Sequence, residues 1–148
     1  MRRTILFMTA VAFAGCAGGG EEMPADTAAT AMAPSLTLAD LAGTWNLQTI
    51  SESGDTVKST LTGTADASSW MVTIEGRDPV PTRVTVDGDS VITESGPFES
   101  VLRPGVMVTT QTVSRLDNGM LMGIIVARYE GAGADSVMRG TVHGTRVP

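Results

Sequence analysis

Cys16, His143 and Lys58 are each the single representative of their type in this chain. A thiol can be acylated or attack a carbonyl, an imidazole can move a proton or hold a metal, and an ammonium can pair with phosphate. Each of these chemistries needs partners. Zinc sites draw on several Cys and His ligands, and His143, set between Thr141 and Thr145, has no second His to join. No metal site is therefore expected. Gly-x-Ser-x-Gly, His-Glu-x-x-His and Gly-rich phosphate-loop patterns do not occur. Asp87-Gly88-Asp89 offers too few oxygens for calcium, and Asp with Gly is what a solvated hairpin turn requires. Glu94 and Glu99 flank Phe98, with Arg103 close behind. Two carboxylates do acid–base work only at a set separation, which this segment does not define. The chain is thus expected not to be an enzyme and to carry no cofactor.

What remains is recognition through apolar and hydroxyl side chains. After residue 16 the aromatics are Trp45, Trp70, Phe98 and Tyr129. Trp70, Phe98 and Tyr129, with Met107 and Met122, are the residues expected at a ligand pocket or its rim. Methionine is flexible and polarisable and accommodates irregular ligands. The competing reading is that these side chains simply fill a core. The segment Ser95–Ser100, broken by Gly96-Pro97, is either a ligand rim or a connection across one end of the domain.

The elements that must position these residues are strands. The chain has 148 residues, 42% of them apolar, enough for one domain and too few for two. A net charge of −6 argues against a nucleic-acid surface, which needs clustered Lys and Arg. Leu36–Ala42 reads as a short helical turn or a cap over one end. After Gly43 apolar and polar residues alternate with period two, the mark of half-buried strands. Eight are expected, at 44–50, 56–62, 69–75, 82–86, 90–94, 106–116, 120–130 and 136–147. Asp87-Gly88 and Asn118-Gly119 are hairpin signals suited to type I′ turns. The seventh strand is apolar on both sides, with Met120, Met122, Ile124 and Val126 on one and Leu121, Ile125 and Tyr129 on the other. One side is therefore expected to be covered by loops, a partner or lipid, and periodicity does not say which side points inward. All connections are short, so an all-β, eight-stranded antiparallel up-and-down meander follows. Closing it into a barrel removes its edges; a β-sandwich or partly open barrel is the alternative.

The N-terminus reads as an address. Met1-Arg2-Arg3 is basic, and the apolar run 5–15 is shorter than the ~20 residues that span a bilayer, as in a secretory signal. Phe13-Ala14-Gly15-Cys16 resembles the bacterial lipobox, although Leu is the family's preference where Phe13 stands. The resemblance implies cleavage before Cys16 and acylation of its sulfur, so that the protein is anchored to the lipid bilayer of the cell envelope. Ala17, in place of an Asp, implies the outer membrane, facing the periplasm, in an organism that has two membranes. Removing residues 1–15 takes away Arg2 and Arg3 and no acid, which lowers the formal charge from −6 to −8. Residues 16–35, rich in Gly, Ala, Pro and acids, read as a disordered tether, and 36–148 as the folded domain.

Gly43-Thr44-Trp45 at the head of the first strand resembles the Gly-x-Trp motif of lipocalins and related calycins. The resemblance implies that Trp45 plugs one end of the barrel and that Arg146, late in the last strand, packs across it. Closure independently makes Trp45 and Arg146 neighbours, because the first strand then runs antiparallel to the eighth. The expected function is a membrane-anchored module holding a small apolar or amphipathic ligand. The alternative is a structural lipoprotein with a filled barrel that binds an envelope protein. An apolar hollow of several hundred Å³ would favour the first.

Overall fold

A computed structural model describes residues 35–148. The expected signal segment, Cys16 and the expected tether up to residue 34 lie outside the described residues. The domain opens with one helical turn, α1 (Leu38–Leu41). The Asp40 carboxylate accepts hydrogen bonds from the Thr37 backbone N–H at 2.8 Å and from its hydroxyl at 2.6 Å. These bonds, that from the Thr37 hydroxyl first, hold the Asp40 carboxyl below its ordinary value. Leu41 is buried, and its carbonyl accepts the Trp45 indole N–H at 2.8 Å.

Eight strands follow: β1 (Gly43–Ser51), β2 (Thr56–Gly63), β3 (Met71–Ile74), β4 (Val80–Asp87), β5 (Ser90–Glu99), β6 (Met107–Asp117), β7 (Met120–Tyr129) and β8 (Val137–Arg146). Each pairs antiparallel with the next, and β8 pairs with β1, so the sheet is a closed up-and-down barrel without edges. The closing register sets Trp45 opposite Arg146. The barrel is all-β apart from α1 and two short 3₁₀ turns, Ala67–Ser69 and Gly133–Asp135.

Alternation decides what points inside. Trp45, Leu61, Val84, Val91, Val108, Leu121, Tyr129 and Val142 are buried, whereas their strand neighbours Asn46, Arg83, Thr109, Met122, Arg128 and His143 are exposed. Two glycines let the barrel bend tightly. A Cβ on Gly123 would stand 2.2 Å from the Val113 carbonyl oxygen, and one on Gly140 2.4 Å from that of Ile50. Only a residue without a side chain permits backbones to approach so closely.

Three strand boundaries differ from expectation by two residues or more. β3 starts later, at Met71, because the preceding 3₁₀ turn ends on Trp70, whose ring lies flat against Gly63. β4 starts earlier, at Val80, and carries Pro81 opposite Met71; with just two β3–β4 partner pairs, the missing Pro N–H costs little pairing. β5 does not end at Glu94 but continues to Glu99. A bulge between Ser95 and Phe98 absorbs Gly96 and the cis-bonded Pro97, so pairing with β6 resumes at Phe98–Val108. The β4–β5 turn also differs. Its centre is Gly88-Asp89 and only Gly88 has positive φ, which suits type II′. Asn118-Gly119 is positive at both residues, as type I′ requires.

Candidate functional site

The barrel interior holds two packed clusters with a space between them. At the α1 end, Leu41, Trp45, Leu61, Trp70, Val84, Val91 and Leu121 pack together. Arg146 lies over the Trp45 ring, 4.4 Å from guanidinium carbon to ring centroid, and donates to the Ala42 and Asp40 carbonyls. The C-terminal strand, the plug and the helical turn are thereby tied together, and this end is shut. At the opposite end Val108, Ala127 and Tyr129 pack with Phe98, Val106 and Met138.

The cavity runs from the Leu47–Leu121 layer above Trp45 to the loop after β5, where Val101 and Leu102 line it. The space open to the centre of a water molecule is about 100 Å³, and the full non-atom space, mouth included, is about 930 Å³. The first figure holds several waters or a slim chain; it is below the several hundred Å³ of a drug-sized site. No Asp, Glu, Lys, Arg or His lines the cavity. One wall, from β5 and β6, is rich in hydroxyls: Thr93, Ser95, Thr110, Thr112 and Ser114. The facing wall is mainly aliphatic, with Leu47, Val57, Leu121, Ile125, Ala127 and Val142. Ser95 also exchanges a buried 2.8 Å hydrogen bond with Thr82.

The mouth is covered by the segment between β5 and β6. Arg77 donates to the Glu99 and Ser100 carbonyls. The Ser100 hydroxyl accepts from the backbone N–H groups of Leu102 and Arg103, each at 3.1 Å. The Glu99 carboxylate accepts from the Gly105 N–H at 3.0 Å. Arg103 stacks over the Tyr129 ring at 4.2 Å and donates to the Asp135 carbonyl at 2.8 Å. Two guanidiniums thus strap the loop over the opening.

Of the five residues expected at a pocket or rim, Phe98 and Tyr129 line the cavity. Trp70 is buried in the cluster at the shut end, and its indole N–H has no hydrogen-bond partner. Met107 and Met122 are corrections: both project outward and are exposed, because the inward positions are the even residues of β6 and the odd residues of β7. Glu94 and Glu99 do not form a pair: Glu94 accepts from Gln111 on the outer surface, while Glu99 serves the loop. His143 is exposed on the outer surface, with Gln48 and Met122 as its cross-strand partners. Among the described residues, no group of three or more His, Cys, Asp or Glu comes together, and no helix is long and apolar enough to cross a membrane. The hydroxyl wall and the Arg77 strap were missed by sequence reasoning. The Ser/Thr positions do repeat at spacing two along both strands, but only the β5–β6 register stacks them side by side. No family model, no curated protein and no solved structure matches the chain.

Proposed function

We propose that this protein is a lipid-anchored envelope lipoprotein, resembling the calycins, whose barrel binds a small uncharged molecule, or the uncharged part of an amphipathic one. The carrying observation is a cavity lined by no Asp, Glu, Lys, Arg or His, shut by Trp45 at one end and covered by a strapped loop at the other. Burying a charge there would be costly without a partner. A ligand with an aliphatic side and a few hydrogen-bonding groups matches the two walls. The small volume favours a slim ligand, entering when the Val101–Leu102 loop lifts. The lipobox-like Phe13-Ala14-Gly15-Cys16 supports the anchor.

Native mass spectrometry of the protein isolated from its own host tests the binding. The expected result is a bound small molecule, released on denaturation, and reduced retention when Ala127→Phe fills the cavity. A bare protein mass, together with no saturable uptake of the apolar dye N-phenyl-1-naphthylamine, would refute ligand binding. The filled-barrel, partner-binding reading would then stand.

A further inference from the structure

The side of β7 that the cavity does not use is on the outside of the barrel. Met120, Met122 and Ile124 are 43%, 40% and 59% exposed, and Val126 continues the line. The ridge widens across the sheet, since Ile124 stands beside Val113, itself 41% exposed, and Val113 beside Ile92. Isolated apolar residues on a surface need no explanation, but a continuous ridge does. Three of the eight basic residues among the described residues are also placed on this face. Arg115 lies next to Met122 on β6, Arg139 next to Val126 on β8, and Arg128 ends the ridge on β7 itself. Among the described residues of the outward β6–β8 face, Asp117 at the hairpin is the one carboxylate, and Asp89 reaches Arg115 from the neighbouring turn at 3.6 Å. Glu52 borders Ile124 and Arg139 from the β1–β2 turn, but on the face itself three arginines outnumber the one carboxylate.

The geometry points to this outer face of β6–β8 as a docking surface for an anionic lipid bilayer, with the β7 ridge entering the interface and Arg115, Arg128 and Arg139 on the headgroups. Apolar side chains flanked by arginines suit that boundary, because each cation near an anionic surface adds attraction and each buried methylene adds transfer energy. A second copy of this chain fits less well: a two-fold contact through the face would set the arginines against one another. The choice of a bilayer over an acidic protein rests on the anchor reading. An anchor at Cys16 would hold the domain close to the membrane, where even weak surface binding is favoured by effective concentration.

The test uses the chain from residue 16 onward with Cys16→Ser, which keeps every described residue and lacks an acyl chain. It is co-sedimented with vesicles of phosphatidylglycerol and phosphatidylcholine in equal parts, and with phosphatidylcholine alone. Binding to the anionic vesicles that weakens with salt is expected. Arg115→Gln, Arg128→Gln and Arg139→Gln should each weaken it about five-fold, and Ile124→Ser about ten-fold. Lys58→Gln and Arg83→Gln, both on strands outside the face, should leave it unchanged. Equal loss from these two would reduce the effect to overall charge and overturn the proposal. So would absence of binding at low salt, or a dimer that Ile124→Ser dissociates. The anchor is tested separately, by the mass of the Cys16 peptide from the host-expressed protein. Acylated Cys16 with no vesicle binding by the acyl-free chain sinks the face alone, and the converse sinks the anchor alone.

Discussion

Trp45 and Trp70 offer a matched pair of substitutions whose outcomes should differ sharply. Both are buried, at 0% and 1% exposure, in one cluster at the shut end of the barrel. Trp→Phe removes the same atoms at each, and the lost packing costs about 1–2 kcal/mol at either site. The hydrogen bonding is opposite. The Trp45 indole donates to the Leu41 carbonyl at 2.8 Å, so Trp45→Phe also strips a buried acceptor of its donor, for a further cost of about 1–3 kcal/mol. The Trp70 indole N–H is buried without a partner, so Trp70→Phe removes an unsatisfied donor and regains about 1–3 kcal/mol. Trp45→Phe should therefore destabilise by about 2–5 kcal/mol, whereas Trp70→Phe should be near neutral, a gap of at least ~2 kcal/mol. Urea unfolding followed by far-UV circular dichroism measures both, and the remaining Trp provides a second probe in each variant. Equal losses, within ~0.5 kcal/mol, would refute the reasoning, since hydrogen-bond satisfaction would then not separate the two sites.

Gly123→Ala places a Cβ 2.2 Å from the Val113 carbonyl oxygen, a backbone atom that cannot swing aside. A loss of about 3 kcal/mol, or failure to fold, is expected, and a thermal melt unchanged from the parent would contradict the close approach. Arg103→Gln removes the Tyr129 stack and the bond to the Asp135 carbonyl. Hydrogen exchange should quicken over residues 100–106 while global stability falls by less than about 1 kcal/mol, because the strap holds a loop rather than the core. The Asp40 carboxyl titrates below its ordinary value of 3.8 because of its bonds to Thr37. Its contribution to stability is thus present above that value and fades as pH falls through the lower folded one. In an NMR titration, Thr37→Ala should raise the Asp40 midpoint toward 3.8; an unmoved midpoint would show that the capping bond is not the cause.

Period-two alternation from Gly43 onward and short turns such as Asn118-Gly119 are local properties, and they made the strand order and antiparallel pairing legible in the sequence. Trp45 and Arg146 could also be placed together, since an antiparallel closure sets the start of β1 opposite the end of β8. The pocket residues were legible only in part. Phe98 and Tyr129 line the cavity, but Met107 and Met122 stand outside it. A strand with apolar residues on both faces carries no local mark of its inward side. That side is decided by pairing with two neighbours and by the curvature that Gly123 and Gly140 permit.

The amino-acid sequence alone determined the fold class, because alternation and turn chemistry act over a few residues at a time. Tertiary structure alone decided the stacked hydroxyls on β5 and β6, the guanidinium straps over the mouth, and the apolar ridge ringed by arginine. Each of these joins residues far apart in the chain, and register across a closed sheet, rather than any short stretch, sets which of them meet.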